Sequence, residues 1–232
     1  MFIDLPASVQ RLLGILNKHG YEAFVVGGCV RDSLMGRIPY DWDIATSALP
    51  CEIKACFPHT FDAGIAHGTV TVVYVGRNYE ITTYRVDGEY EDGRHPKSVS
   101  FTASLEDDLA RRDFTMNALA WHPNHGLVDP FGGLSDIESG IIRGVGRPDQ
   151  RFEEDALRMM RAVRFSGQLG FQISPETLAA IIRGAAGLKR ISAERIRDEL
   201  TKLLLSPHLE KLALLTDTGL ISEGWPLPYP PS

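Results

Sequence analysis

The chain begins with hydrophobic residues at helical spacing and continues with short apolar segments that are typical of strands. Val9, Leu12, Leu13 and Leu16 would share one face of a helix, and Gly20 is placed to end that helix. Further helices are predicted over residues 29–35, from 50 onward and over 104–117. Strands are predicted over residues 23–26, 41–44, 70–75, 79–84, 118–121, 127–128 and 141–145. This alternation predicts a mixed β-sheet with flanking helices.

Two local signals refine this prediction. Residues 76–78, Gly-Arg-Asn, separate two strand segments and predict a hairpin turn. Ser104 and Asp107 form a capping pair that opens the helix predicted to run to Asn117. The polar segment 87–97 contains Gly and Pro and predicts a mobile loop.

The pattern changes after Pro148, where the strand signals stop. The helices predicted beyond that point span residues 152–168, 175–185, 192–205 and 208–218. The sequence therefore predicts an α+β chain with a mixed α/β domain over 1–148 and an all-α domain over 149–221. The Pro-rich end, 222–232, cannot continue a helix and is predicted to be a disordered tail.

Composition limits the classes of function. The net charge of −6 arises from 24 basic and 30 acidic residues, and the acidic excess lies entirely in residues 1–148. A uniformly basic surface for nucleic acid is therefore excluded, and any such contact must use local arginines. No apolar run approaches the ~18 residues of a membrane helix, which predicts no membrane contact. The three cysteines have no CxxC spacing and predict reduced thiols in a cytoplasmic protein.

The first group of candidate residues lies around a glycine pair. Gly27 and Gly28 separate a strand from a helix, where backbone amides can approach a phosphate, and Arg31 follows in the first turn. Asp41 and Asp43 alternate along the next strand and would point to one face. Two such carboxylates repel each other unless a cation neutralises them, and Mg²⁺ with nucleotide phosphates is the natural candidate.

A third carboxylate is expected on a neighbouring strand, and Glu80 is the candidate. Each short motif has a structural alternative, because an isolated glycine pair is usually a turn and an isolated Asp-x-Asp is usually a solvated edge or a loop cap. The order of strand, glycine pair, helix with Arg31 and strand with Asp-x-Asp favours the functional interpretation.

The second group is residues 111–118. Arg112 is predicted to contact a nucleotide phosphate, and Asn117 the ribose or a phosphate. The structural alternative is a solvated helix face in which Asp113 pairs locally. The turn Asp129–Gly133 is predicted to be structural, as a hinge between the two domains.

The third group is a polar stripe on the first helix of the second domain. Asp155, Arg158, Arg161 and Arg164 recur every three residues. The structural alternative is a ladder of ion pairs on a solvated face. Since only Asp155 could pair within the stripe, three arginines would remain for phosphate or nucleobase contacts.

These motifs, taken in order, resemble the class II tRNA nucleotidyltransferases, or CCA-adding enzymes, which share their core with bacterial poly(A) polymerases. The resemblance extends over residues 21–205 and rests on GGCVRD (27–32), DWD (41–43), RRDFTMNAL (111–119), DPFGG (129–133) and EDALRMMRAVRF (154–165). It implies a nucleotidyltransferase-superfamily head followed by a helical neck.

The resemblance also implies roles for individual residues. Asp41 and Asp43 would bind Mg²⁺ for two-metal transfer, while Gly28, Arg31 and Arg112 would hold the phosphates and sugar of the incoming nucleotide. In the neck, Asp155 and Arg158 would select the base of CTP or ATP. Arg161 and Arg164 would help to hold these two residues and the nucleotide. This complement matches the amine and ring acceptor that cytosine and adenine share, and it rejects UTP and GTP.

Two features bear on the choice within this family. The loop at 87–96, which includes Asp92 and Arg94, resembles the flexible loop of enzymes that add A, and implies that AMP addition is possible. Residues 62–69 lack the Gly-Arg-Arg-Phe type of segment that resembles poly(A) polymerase in this region. This difference favours tRNA over general RNA as the substrate.

The chain ends soon after the neck, whereas full-length members continue into body and tail domains. Intact nucleotide binding and weak binding of the tRNA 3′ end are therefore expected, unless a second chain supplies the missing part. The alternatives are an A-adding or poly(A) polymerase-type enzyme, or a truncated nucleotide- or RNA-binding remnant without full activity.

Overall fold

The structure is a computed structural model that describes residues 3–88 and 99–222. The described chain divides into two compact units, the first over 3–88 with 99–135 and the second over 136–222. The second unit thus begins before the domain boundary predicted at residue 148. The predicted loop residues Asp92 and Arg94 and the predicted tail from 223 onward lie outside the described residues.

The described residues of the first unit form nine strands together with helices. The strands are β1 (Ala23–Val26), β2 (Ile44–Thr46), β3 (Thr60–Gly64), β4 (Thr69–Tyr74), β5 (Arg77–Thr83), β6 (Arg85–Asp87), β7 (Val99–Phe101), β8 (Ala120–His122) and β9 (Gly126–Val128). The helices are α1 (Ala7–Lys18), α2 (Gly28–Leu34), α3 (Pro50–Cys56), α4 (Leu105–Ala110) and α5 (Gly133–Ser139), whose first residues belong to this unit. Short 3₁₀ turns lie at Ile65–His67 and Thr115–Asn117.

Seven of these strands form one mixed sheet in the order β3-β4-β5-β2-β1-β8-β9, which confirms the predicted α+β class. The pairing of β2 with β5 is parallel, and the other pairings in this sheet are antiparallel. A separate antiparallel pair, β6 with β7, flanks the undescribed segment. The order places the start of β2 beside the end of β1 and beside β5, where the acidic candidates lie.

The opening elements match the prediction closely. The four spaced apolar residues of α1 are all buried, and β1 covers the predicted residues 23–26. Gly20 follows α1 with φ 88°, a left-handed conformation that ends the helix. Hydrophobic spacing therefore located these elements without tertiary information.

Several predicted limits in this unit are wrong. The strand predicted over 41–44 is β2 at Ile44–Thr46, so Asp41 and Asp43 lie before the strand. The hairpin turn is the pair Val75–Gly76, because Tyr74 pairs with Arg77 and residues 77–78 belong to β5. The predicted helix 104–117 ends at Ala110, although Ser104 does cap it by accepting the Asp107 amide at 3.2 Å. It ends there because Asp113 accepts the Phe114 amide, which starts a separate turn.

The second unit is mostly helical. Its elements are β10 (Ile141–Ile142), α6 (Pro148–Glu154), α7 (Leu157–Leu169), β11 (Gln172–Ile173), α8 (Pro175–Gly184), α9 (Ala193–Leu204) and α10 (Ala213–Asp217). Two 3₁₀ segments lie at Ala185–Arg190 and Leu209–Leu212. The prediction of helices alone is corrected by β11, which pairs in parallel with β10. Among residues 3–88 and 99–222, no helix has the length and apolar character needed to cross a membrane.

The helix predicted over 152–168 is also interrupted. Helix α6 ends at Glu154, and α7 begins at Leu157. Asp155 has an extended backbone with φ −146° and ψ 103°, and its side chain accepts the Leu157 amide at 3.1 Å. The break therefore results from a side-chain cap at Asp155 that offers the backbone an alternative to a continuous helix.

Candidate active site

The acidic couple lies where β2 begins. Asp41 and Asp43 precede the first residue of β2, and the ladder with β1 continues to Asp43, whose carbonyl accepts the Val26 amide at 3.0 Å. Both residues are exposed. They stand at the sheet edge beside the end of β1, so a substrate can reach both carboxylates.

The carboxyl of Asp43 lies in a field set by three charged groups. Although Asp43 is exposed as a residue, neighbouring protein atoms displace part of the hydration of its carboxylate, and this raises its pKa. The Arg112 guanidinium opposes this shift, while the negative charges of Glu80 and Asp41 raise the pKa further. The three acidic residues therefore act on one another, and an added cation would relieve their repulsion.

Strand register explains how Glu80 reaches this group. Ile44 pairs with Ile81 in the parallel ladder between β2 and β5, so the preceding residues, Asp43 and Glu80, are lateral neighbours. Ile44 and Ile81 are buried, whereas Asp43 and Glu80 are exposed. The two acids therefore share the face opposite the two isoleucines.

The acidic group is not a complete metal site by itself. Within residues 3–88 and 99–222, no three or more His, Cys, Asp or Glu side chains come together closely enough to hold a metal ion. The role of Glu80 as a metal ligand thus stays a prediction. An oxygen-only pair of carboxylates still suits Mg²⁺, which keeps waters and substrate phosphates as its remaining ligands.

The glycine turn gives an arginine space to approach the backbone. Gly27 has φ 78°, and a Cβ built there would lie 2.8 Å from Nη1 of Arg112. The Nε of Arg112 is buried without a hydrogen-bond partner among the described residues. The structure therefore places Arg112 against the glycine pair, as a phosphate contact would require.

Gly27→Ala tests this close approach. We expect the variant to lose about 1–2 kcal/mol of stability, because a side chain at this φ is strained and displaces Arg112. The Kd for inorganic triphosphate should rise about tenfold as the guanidinium moves. Chemical denaturation and calorimetric titration measure the two effects. Gly14→Ala in α1 is the control, since its Cβ meets nothing within 4 Å and should stabilise the helix by about 0.5–1 kcal/mol.

Arg31 and Asn117 are joined by a hydrogen bond, while their contacts with a nucleotide stay predictions. Nη1 of Arg31 donates to Oδ1 of Asn117 at 2.6 Å, and Nδ2 of Asn117 donates to Oδ1 of Asp113 at 3.1 Å. Arg31 also pairs with Asp32 at 2.8 Å. Because Arg31, Asp113 and Asn117 are buried, this chain of bonds fixes the two predicted binding residues.

Asp108 is a residue of this site that the sequence analysis missed. It is fully buried, and one carboxylate oxygen accepts from Nη2 of Arg111 at 2.8 Å while the other accepts from Nη2 of Arg112 at 3.2 Å. The Arg85 amide donates to it at 3.3 Å. Its spacing of three and four residues before the arginines was the signal available in the sequence.

The charge of Asp108 is held by its partners. Burial alone would raise the pKa of this carboxyl, but the guanidinium groups of Arg111 and Arg112 outweigh burial and hold the pKa below its usual range. Asp108 therefore stays ionised at neutral pH and anchors both arginines.

The turn after β9 has a structural role. Asp129 accepts the amides of Gly133 at 2.7 Å and Leu134 at 2.9 Å, and so caps the start of α5. A Cβ at Gly133 would lie 2.2 Å from the carbonyl oxygen of Thr115. These contacts confirm the structural interpretation of the turn, while its role as a hinge stays a prediction.

In the second unit, Asp155 is held by an arginine from α9. Nη2 of Arg195 donates to Oδ2 of Asp155 at 2.9 Å, and Nη1 donates to Oδ1 at 3.3 Å. Arg158 donates to Glu154 at 2.8 Å. The two predicted base-selecting residues therefore have fixed positions within this unit.

The expectation that the three arginines of the stripe remain without anionic partners is wrong. Arg164 is buried and bonded to Glu199 and Gln168, and its guanidinium carbon lies 3.8 Å from the ring centroid of Phe165. The corresponding distance for Arg161 is 5.5 Å. Glu199 of α9 and Glu154 at the end of α6 thus pair with Arg164 and Arg158, and nucleotide contacts by Arg161 and Arg164 stay predictions.

Two protein families match the chain, one in its first part and one in its second part. Residues 23–143 match the family described as the poly(A) polymerase head domain. Residues 170–226 match the family described as the probable RNA and SrmB-binding site of polymerase A.

Individual proteins are similar over most of the chain. The CCA-adding enzymes of Geobacillus thermodenitrificans and Geobacillus kaustophilus are 58% and 55% identical, over 91% and 92% of this chain. The matches cover 53% and 54% of those proteins, so the chain spans about half the length of the curated relatives it matches.

Solved structures agree with this similarity. The Bacillus stearothermophilus CCA-adding enzyme in complex with CTP has a TM-score of 0.86 and 50% identity, over 93% of this chain and 53% of that chain. The Thermotoga maritima CCA-adding enzyme complexed with tRNA has a TM-score of 0.77 and 26% identity, over 98% of this chain and 55% of that chain.

Proposed function

Because the chain belongs to the family of class II tRNA nucleotidyltransferases and bacterial poly(A) polymerases, we propose that it transfers CMP and AMP from CTP and ATP to the 3′ end of tRNA. The observation that carries this proposal is the acidic couple beside an arginine that lies against a glycine turn. The chemistry needs carboxylates for cations and a cationic cradle for a triphosphate, and one sheet edge supplies both.

The proposed reaction joins two substrates. The 3′-hydroxyl oxygen of the acceptor attacks the α-phosphorus of the nucleotide and forms a new P–O bond. The bond to the β-phosphate breaks, pyrophosphate leaves, and the hydroxyl proton passes to solvent. Positioning and charge stabilisation carry such a step, so no covalent nucleophile is required.

The carboxylates would supply the metal position. Asp41 and Asp43 would hold Mg²⁺, which suits their oxygen donors and relieves the repulsion at Asp43. Two such ions held there would supply activation of the attacking hydroxyl and neutralisation of charge on the triphosphate and the leaving pyrophosphate.

The chain's own residues would position the donor nucleotide. Arg112, anchored by Asp108, would contact phosphate oxygens next to Gly27 and Gly28. Arg31, held through Asn117, would contact the triphosphate or the sugar. Their hydrogen bonds within the protein fix these groups before the nucleotide binds.

Base selection is proposed for Asp155 and Arg158. The Asp155 carboxylate would accept from the exocyclic amine of cytosine or adenine, and Arg158 would donate to a ring acceptor. Support comes from the anchoring of Asp155 by Arg195 and of Arg158 by Glu154, which limits the orientations of both side chains. We propose that this chain alone binds tRNA weakly. A second chain or further domains would supply the remaining contacts with the tRNA.

An incorporation assay tests this function. The chain is incubated with tRNA lacking its 3′ CCA, Mg²⁺ and one labelled nucleotide at a time, then with CTP and ATP together. We expect addition of CMP, then of AMP after CMP, and little addition from UTP or GTP. Long products from ATP alone would indicate poly(A) synthesis, and absence of any incorporation would indicate a remnant without activity.

Base selection has its own comparison in the same assay. Asp155→Ala should reduce the preference for CTP over UTP at least about tenfold, because the acceptor for the amine is lost. Asp149→Ala removes a half-exposed acid of α6 that pairs with Arg183, and it should leave the preference unchanged. An unchanged preference in both variants would contradict the role of Asp155.

A further inference from the structure

A cavity of about 600 Å³ lies beside the β4–β5 turn of the first unit. Residues 39–42 and 76–79 line it, together with Pro6 just before α1. Its volume falls in the range of about 300–1,000 Å³ that is typical of ligand sites in proteins. The cavity is therefore large enough to receive a small ligand or a few residues of a partner chain.

The part of β5 that lines the cavity faces away from the acidic side chains of the sheet. Tyr79 is buried, and its hydroxyl donates to Oγ of Ser8 in α1 at 2.7 Å. Because side chains alternate along a strand, Arg77 shares the side of Tyr79, whereas Glu80 points to the opposite side. The register between β2 and β5 puts Asp43 on the side of Glu80. The cavity therefore belongs to the side of the sheet that α1 covers.

Aromatic rings and prolines form most of the cavity walls. They are Pro6, Pro39, Tyr40, Trp42 and Tyr79. Grooves with aromatic walls are the usual docking sites of proline-rich segments, because the flat rings pack against proline side chains. Such segments are already extended before they bind, so binding costs them little conformational entropy. The composition of the walls therefore favours a proline-rich segment as the ligand.

Two of the aromatic side chains carry hydrogen-bond donors that the protein leaves unused. Neither the indole N–H of Trp42 nor the hydroxyl of Tyr40 bonds to another group within residues 3–88 and 99–222. A segment in the polyproline II conformation has no internal hydrogen bonds, so its carbonyl groups are free to accept. The two donors therefore match the backbone of the same class of ligand.

The rim of the cavity carries apolar side chains that water surrounds. Tyr40 is 96% exposed. Ile38 and Val75, which adjoin lining residues in sequence, are 97% and 80% exposed. Exposed apolar groups that lie together around a cavity mark surfaces that bind a partner. A docked segment would remove these side chains from water.

The charges of the lining add one further requirement on the ligand. Arg77 and Asp41 are the charged residues among those that line the cavity. Asp41 is assigned to the proposed metal position, so Arg77 is the charge that remains for a partner. Arg77 is exposed and has no ion-pair partner in the part of the chain that the structure describes. Charge complementarity therefore favours an acidic residue beside the prolines.

We propose that this cavity binds a proline-rich segment of a partner protein, with an acidic residue next to the prolines. Tyr40 and Trp42 pack on the proline rings and donate to the backbone carbonyls, and Arg77 binds the acidic side chain. This docking does not require nucleotidyl transfer, because it uses the side of the sheet opposite Asp43 and Glu80.

Fluorescence anisotropy on the full chain tests the proposal, with Mg²⁺ present throughout. The probe is a fluorescein-labelled peptide of about eight prolines followed by glutamates, a length that forms polyproline II. One comparison peptide has glycines in place of the prolines, and a second has lysines in place of the glutamates. We expect the probe to bind at least about tenfold more tightly than either comparison peptide, because each lacks one of the two recognised features.

Variants of the lining assign the contacts. Tyr40→Ala should raise the Kd for the probe at least about tenfold, as expected for an aromatic residue at the centre of an interface. Trp42→Phe keeps a ring but removes the N–H, so the Kd should rise roughly two- to tenfold. Arg77→Ala should abolish the preference for glutamates over lysines and leave the incorporation of CMP unchanged.

Matched variants control for general surface effects. Phe61→Ala removes another exposed aromatic ring, and Arg11→Ala removes an exposed arginine of α1; neither residue lines the cavity. Both should bind the probe as the unaltered chain does. Asp43→Ala should also bind it normally, because Asp43 lies on the opposite side of the sheet.

The outcomes separate this docking site from the proposed function. No binding of the probe by the unaltered chain, equal affinity for the proline and glycine peptides, or unchanged binding in Tyr40→Ala would overturn the inference. Equal losses in the control variants would overturn it as well. If the probe binds through the cavity but no nucleotide is incorporated, the docking site stands and the proposed activity fails.

Discussion

Asp43→Ala is expected to reduce nucleotide incorporation at least about a thousandfold, which corresponds to about 4 kcal/mol of transition-state stabilisation. The reason is that Asp43 stands beside Asp41, Glu80 and Arg112, where cation and triphosphate charges would meet. Folding should be unaffected, because the side chain is exposed and the substitution removes a repulsion between like charges. Rapid-quench incorporation of labelled CMP and circular dichroism measure the two expectations.

A second exposed acid of the same unit provides the control for this variant. Asp62 pairs with Lys54 at 2.9 Å on the surface, so Asp62→Ala should retain normal incorporation. If Asp43→Ala keeps activity within about tenfold of the unaltered chain, the acidic couple has no essential role in the mechanism.

Asp108→Asn is expected to lower the free energy of unfolding by about 3 kcal/mol at neutral pH, because it leaves two partly buried guanidinium groups without their anion. It should also raise the KM for CTP, since Arg112 loses its anchor. Urea denaturation and steady-state kinetics follow the two effects. Asp107→Asn changes the neighbouring, exposed acid and should shift stability by less than about 0.5 kcal/mol.

The effect of Asp108 on stability should depend on pH in one direction. Its pKa in the folded chain is below that of an unfolded chain, so its contribution is fully present above the unfolded-state value of about 4. The contribution is lost as pH falls through the folded-state pKa. The difference in stability between the unaltered chain and Asp108→Asn should therefore shrink in acid, and a difference that grew in acid would contradict the ionised pair.

The features that the sequence predicted well depend on local spacing. The four apolar residues of α1 and the apolar segment of β1 are buried where the pattern placed them. The glycine pair also had a local signal, since a strand and a helix flank it. Such features need only the periodicity of one element and the conformational range of glycine.

The features that were missed depend on partners distant in sequence or on competition between turn signals. The helix break at Asp155 is stabilised by Arg195, forty residues later, which no local pattern reveals. The hairpin turn was placed on glycine and asparagine propensity, but the burial of Tyr79 and Ile81 set the strand register and moved the turn to Val75–Gly76.

The partners of the arginine stripe were missed for the same reason. Glu199 lies on α9 and bonds to Arg164 across thirty-five residues, so the pairing follows from helix packing. In contrast, Glu154 is four residues before Arg158, a spacing that favours an ion pair on a helix and could have been recognised.

The most direct test of the acidic couple is a crystal of the chain soaked with CTP and Mn²⁺, a divalent ion with oxygen preferences close to those of Mg²⁺. The account predicts anomalous density for the metal at the carboxylates of Asp41 and Asp43, with the triphosphate against Gly28 and Arg112. Metal and triphosphate bound together at another surface, with these carboxylates unoccupied, would contradict it.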